Sequence, residues 1–251
     1  MSEEQLGAGQ PLIEHLIELR RRLLWAASVF VLCLLALLPF AKQIYALVAQ
    51  PLMAALPQGT HMIATDVAAP FFVPLKVTAM AAFLLSLPHT LFQLWAFVAP
   101  ALYKQEKRLV LPLLLSSLTL FAAGMAFCYF LVFPVVFKFL SGTTPDGVNM
   151  ATDIGNYVSF VIGMFVAFGT AFEVPVAVVL LHRMGVIGLE KLKQARPYVV
   201  VGAFIVAAVL TPPDVLSQFM LAVPMLLLYE IGIIVCRFSG KAAAENDTPP
   251  Q

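Results

Sequence analysis

Apolar positions in this chain come in long unbroken runs rather than alternating with polar ones. Six such runs, at about residues 23–40, 76–99, 109–140, 156–181, 198–210 and 215–237, are rich in Leu, Val, Phe, Ala and Ile. The stretches between them hold most of the charged residues. About 20 apolar residues in a helix cross the roughly 30 Å hydrocarbon core of a bilayer, so the runs have membrane length. A membrane β-barrel needs strands of about ten residues with alternating polarity, which this pattern excludes. The expectation is an all-α polytopic membrane protein: one domain over 1–238 with six transmembrane helices, and a disordered tail over 239–251. The tail is Ala, Glu, Asn, Asp, Thr and Pro, without apolar residues to pack.

Within the runs, prolines and polar residues mark irregularities. Ahead of the first, Leu12, Ile13, Leu16, Ile17, Leu19 and Leu23 recur at helical spacing with Glu14, His15, Glu18, Arg21 and Arg22 between them. This reads as an amphipathic surface helix entering span one. Span one resembles an export signal, but Pro39-Phe-Ala-Lys-Gln43 supplies no small-x-small cleavage site, so it reads as a retained anchor. Residues 41–75 read as a loop with a short helix over 44–56. Pro88 predicts a bend in span two, Pro134 a kink in the long span three, and Pro175 a weak point beside Glu173 in span four. Span five makes only about 20 Å of helix, and Pro224 breaks span six. Both final spans therefore read as short, an undersized pair that thins the bilayer or leaves a wet notch.

Composition agrees: 61% of the 251 residues are hydrophobic and 12% charged, with a mean hydropathy of +0.92. The net charge of +1 matters less than its distribution. Twelve of the 15 lysines and arginines lie on the side of the termini, leaving Lys42, Lys76 and Lys138 opposite. The positive-inside rule then makes both termini cytoplasmic. Cys33, Cys128 and Cys236 all sit in apolar runs and read as small hydrophobes, without a disulfide. The four histidines lack metal-ligand spacing, so neither metal nor cofactor is expected. The chain has no phosphate-binding loop, no His-Glu-x-x-His and no Gly-x-Ser-x-Gly, which argues against an enzyme.

The polar residues left over are few. Glu18 and Glu106 each stand at a helix–membrane boundary. Each reads from spacing as a local ion pair, Glu18 with Arg22 and Glu106 with Lys104 or Arg108, with a functional role as the alternative. Glu173 is an acid inside a span, where charge is costly; it is functional or a protonated structural group beside a kink. Asp214 and Gln218 lie one turn apart, Asp214 reading as a helix N-cap or a binding residue. His89 and Gln93, also one turn apart, read as interhelical hydrogen-bond partners. Glu230 reads as solvated at the interface. A proton-coupled secondary transporter of a small solute is the alternative these features allow, although no internal repeat is visible.

Five motifs in order, His15-Leu-Ile-Glu-Leu-Arg20, Phe97-Val-Ala-Pro-Ala-Leu-Tyr103 with Glu106-Lys-Arg108, Phe172-Glu-Val-Pro175, Arg196-Pro-Tyr198 and Leu210-Thr-Pro-Pro-Asp214, resemble the TatC family of the twin-arginine protein translocase. The match runs over residues 10–238; the mild departure is Ala101, where many relatives carry glycine. The resemblance implies a concave, glove-like bundle in the bacterial cytoplasmic membrane. It further implies a receptor for the twin-arginine signal peptides of folded proteins, working in a larger complex with the single-span TatB and TatA subunits and the proton gradient, without nucleotide or nucleic acid. Mapped here, arginine recognition falls to Glu18 and Glu106 with Leu16, Arg20, Phe97 and Tyr103. Glu173 would face a lipid-level groove, and partner helices would dock near Thr211, Asp214 and Gln218. Carboxylates suit the task because they accept guanidinium's planar fork in two parallel hydrogen bonds, which an ammonium cannot reproduce.

Overall fold

The computed structural model describes residues 3–55, 62–98, 110–143, 151–211 and 215–246, with side chains described from His15 to Phe238 within those ranges, apart from Trp95, Val98 and Val110. The helices are α1 Glu3–Leu37, α2 Ala41–Ala55, α3 Ala69–Val98, α4 Val110–Phe127, α5 Phe133–Gly142, α6 Ile154–Phe172, α7 Val174–Arg183, α8 Leu189–Gln194, α9 Arg196–Leu210 and α10 Val215–Asn246. Among the described residues the only β-pairing is an isolated bridge between Ile63 and Asp153. Five apolar stretches among the described residues, His15–Ala55, Ala69–Leu94, Leu111–Gly142, Ile154–Arg183 and Val215–Phe238, are long enough to cross a membrane, and Arg196–Leu210 is a shorter sixth.

The chain forms two compact units, Met1–Tyr45 with Pro74–Leu118 and Ala46–Val73 with Thr119–Gln251. In the first, α1 keeps large apolar side chains exposed, among them Leu23, Leu24, Leu32 and Leu35. In water that surface would be strongly unfavourable, and in lipid it is not. The α3 segment of this unit buries Val77, Ala82 and Leu87. Two buried hydroxyls return to their own helix, Thr78 donating to the Pro74 carbonyl at 2.7 Å and Ser86 to that of Phe83 at 2.9 Å. Each hydroxyl is thus satisfied without a partner helix.

The second unit centres on α6, which buries Tyr157, Val161, Met164, Phe165 and Phe168. Rings of Phe133 and Phe137 from α5 pack on Phe160, Phe165 and Tyr157. Span three bends its register ahead of Pro134: Cys128–Val132 form a π turn, closed by the Phe133 amide donating to the Cys128 carbonyl. Proline crowds the carbonyl four residues back, and one wide turn relieves that clash.

The same turn carries Tyr129, whose hydroxyl donates to the Leu47 carbonyl of α2 at 2.9 Å. Leu47 is four residues before Pro51, which lies inside α2 and has no amide hydrogen to give. Tyr129 supplies the missing donor, and Tyr157 adds a buried bond to Val48 next to it at 2.8 Å. Tyr129→Phe is expected to destabilise the protein by about 0.5–1.5 kcal/mol, and the cost should shrink once Pro51→Ala restores an amide donor. Additive effects in a double-mutant cycle of thermal unfolding would refute this compensation.

Asp153 joins the segment before α3 to the start of α6. One carboxylate oxygen caps α6 through the Gly155 and Asn156 amides, both at 2.9 Å. The other accepts from the Thr65 amide at 3.0 Å and the Thr65 hydroxyl at 2.7 Å. Backbone bonds from Ile63 to Thr152 and from Ile154 to Ile63, at 3.0 and 2.9 Å, flank it. These contacts hold the Asp153 carboxyl well below its ordinary range, at about 2, the Thr65 hydroxyl contributing most.

Three expectations change. The break forecast at Pro224 does not occur, since α10 runs through it, and α3 likewise continues as one helix through Pro88, where a bend was expected. In lipid a helix is the conformation that satisfies most backbone groups, so one missing donor is tolerated. Consequently, of the final two spans only α9 is short; the apolar part of α10 spans 24 residues. The first helix begins at Glu3, and α10 continues to Asn246 into the segment read as a tail. Lys241-Ala-Ala-Ala-Glu245 there favours helix by intrinsic propensity. Residues 247–251 lie outside the described residues.

Candidate functional site

Helical spacing puts Glu18, Arg22 and Trp25 on one side of α1. With Arg21 and Gln93 of α3 they line a polar cleft of about 180 Å³. An apolar cleft of about 130 Å³ is lined by Leu19, Arg22, Leu23, Ala26, Thr90, Gln93, Leu94 and Phe97. Arg22 and Gln93 are walls of both. Gln93 is held in turn by His89, one turn earlier on α3, at 3.2 Å. This pair lies within one helix instead of between two. His15 stacks on Phe97 with ring centroids 4.2 Å apart, tying α1 to the end of α3.

The i,i+4 pair of Glu18 and Arg22 forms. Arg22 Nε donates to Glu18 Oε1 at 3.0 Å, and a terminal guanidinium nitrogen contacts the same oxygen. Leu16 and Arg20 are exposed on α1 and line neither cleft. Glu106 and Tyr103, expected beside Glu18, lie outside the described residues, as does Asp214. Sequence reasoning missed Arg21, Trp25 and Gln93 as walls. Trp25 and Gln93 sit at helical spacing from Glu18 and His89, the one signal that could have found them.

In the second unit Glu173 stands where α6 ends and α7 begins, its backbone at φ −76° and ψ −11°. Pro175 withholds the amide that would continue α6, and the Glu173 amide instead reaches back to Thr170 at 3.1 Å. Thr170, Ala171 and Val174 beside it line a mostly apolar cavity of about 210 Å³ with Val166, Ala167, Val206, Leu210 and Met225. Thr211 is buried and donates its hydroxyl to Ala207 at 2.8 Å. Gln218 is half-buried on α10. Glu230, read as solvated, accepts from Arg196 at 2.7 Å, while the neighbouring Tyr229 donates to Leu192 at 2.8 Å. Together these bonds fasten α8 and the start of α9 to α10. Among the described residues no three His, Cys, Asp or Glu side chains gather as a metal site would require.

Long apolar helices with lipid-ready faces and a polar cleft walled by α1 and α3 define a multi-pass α-helical membrane protein. A family model described as the Sec-independent protein translocase protein (TatC) matches residues 14–224. The chain is 58% identical to the TatC protein of Escherichia coli over 229 residues, covering 91% of this chain and 89% of that one. It is 52% identical to that of Haemophilus influenzae, with 91% and 90% covered. A crystal structure of the twin arginine translocase receptor TatC superposes with a TM-score of 0.79 at 38% identity, over 90% of this chain and 99% of that one. The chain belongs to the TatC family. The transporter alternative gains no support from these matches.

Proposed function

We infer that this protein is the receptor subunit of a bacterial twin-arginine translocase, a multi-pass component of the cytoplasmic membrane that binds signal peptides and acts without catalysing a reaction. The observation that carries the reading is the Glu18 carboxylate in a polar cleft whose walls Arg22 and Gln93 also border an apolar one. A twin-arginine signal offers both halves of the complement: guanidinium groups for the acid and an apolar stretch for the groove. In this reading Glu106 supplies the second carboxylate, Tyr103, Leu16, Arg20 and Phe97 flank the pair, and Glu173 lies at a lipid-level groove. The single-span TatB and TatA subunits dock along α9 and α10 near Thr211, Asp214 and Gln218. The excess of basic residues on the terminal side supports cytoplasmic termini.

The test is binding of a twin-arginine signal peptide and its twin-lysine version to the detergent-solubilised protein. The wild type should prefer arginine, and Glu18→Gln or Glu106→Ala should weaken arginine-peptide binding roughly 10- to 100-fold, as loss of a charge-assisted contact predicts. Equal binding of both peptides to the wild type, or wild-type behaviour of both variants, would overturn the assignment.

A further inference from the structure

We propose that Arg22 is a built-in competitor for the guanidinium that Glu18 reads, an autoinhibitory contact that sets the affinity a ligand must exceed; this rests on the receptor reading above. The carboxylate meant for a ligand is already engaged. Arg22 takes Glu18 Oε1 with Nε, at 3.0 Å, and with a terminal nitrogen. Arg22 is also the less accessible partner, its side chain 22% exposed against 38% for Glu18, because it forms a wall of both clefts. It is positioned by packing as well as by charge, so it is ready to close on Glu18 whenever the cleft is empty.

An incoming cation therefore exchanges with Arg22 instead of meeting a free acid. Releasing Arg22 offsets part of what the new guanidinium gains at Glu18, so the apolar part of the ligand and a second carboxylate must supply much of the net affinity. An ammonium starts behind, because it is strongly hydrated and lacks the planar fork. Competition weakens both cations by one common factor and leaves their ratio alone. Its effect is to move the weaker ligand below the working range, and to let the stronger one leave without stranding a bare carboxylate in the cleft.

Arg22→Gln should tighten binding of the twin-arginine and the twin-lysine peptides by the same factor, roughly tenfold, with their ratio unchanged. Arg22→Lys keeps the charge but loses the fork, and should give a smaller gain of the same sign. Arg21→Gln removes an equal charge from the same cleft without touching the Glu18 hydrogen bonds, and should gain less than twofold. Unchanged or weaker arginine-peptide binding in both Arg22 variants would overturn the proposal, and so would an equal gain from Arg21→Gln, which would mean bulk charge alone. The receptor reading fails separately: its failure appears as no arginine preference in the wild type, whatever the Arg22 variants do.

Discussion

Gly124→Ala is expected to destabilise the protein by about 1–3 kcal/mol, although alanine is the better helix former by about 1 kcal/mol. A Cβ at Gly124 of α4 would stand 2.6 Å from the Phe168 carbonyl oxygen of α6, and 2.9 Å from the Phe172 ring. The helix interface is reciprocal: a Cβ at Gly169 of α6 would meet the Phe121 ring of α4 at 2.5 Å. Small residues at such crossings let two helix backbones approach closely, a major source of attraction where lipid removes the hydrophobic drive.

The two sites differ in what must move. At Gly169 the obstacle is the far end of a side chain, so Gly169→Ala should regain most of its loss when combined with Phe121→Leu. At Gly124 the obstacle includes backbone, and trimming Phe172 cannot restore it. Gly163 of α6 and Gly202 of α9 have open space where a Cβ would go, so their alanine variants should be neutral or more stable. Thermal unfolding in detergent, followed by circular dichroism, reads all of these. Melting of Gly124→Ala at or above the wild-type temperature would show that propensity outweighs the crossing, and the packing argument would fall.

How much of this was legible beforehand depends on the range of the interaction. The spans are local properties of length and hydropathy, and the Glu18–Arg22 pair follows from spacing on one helix, so both could be read directly. The break at Pro175 was visible for the same reason. Pro224 misled because a proline states only that a donor is missing, while the bilayer decides whether the helix continues. Gly124 and Gly169 carry no signal that distinguishes them from Gly163 or Gly202; only the facing helix does. The two walls of the clefts come from α1 and α3, some 70 residues apart, and Gln93 read as a partner for another helix although its bond to His89 stays within α3. Asp153 was the residue most available and still passed over. An Asp directly before an apolar helical run is an N-cap signal, but nothing in the local pattern announces Thr65.

Asp153→Ala is expected to release residues 62–66 from α6 and to lower the unfolding temperature more than Asp153→Asn does. Alanine removes all four side-chain acceptor contacts, whereas asparagine keeps one carbonyl oxygen for the helix amides or for Thr65, and cannot serve both. Thr65→Val, which deletes the hydroxyl and leaves the cap, should fall between them and wild type. The pH dependence has a fixed sign. The folded protein holds Asp153 at about 2 against an ordinary 3.8, so the carboxylate's contribution is complete above about pH 4 and is lost as the pH falls toward 2. The wild type should therefore lose stability over that window more steeply than Asp153→Asn, which has no proton to gain there. Hydrogen exchange of the Thr65 and Ile154 amides gives the local readout: both bonds cross the bridge between the two segments, so both amides should exchange faster in Asp153→Ala. If exchange accelerates only at Asn156, the residue is a helix cap and nothing more. If neither amide changes, the Ile63 backbone pairing holds the segments by itself and the carboxylate is dispensable.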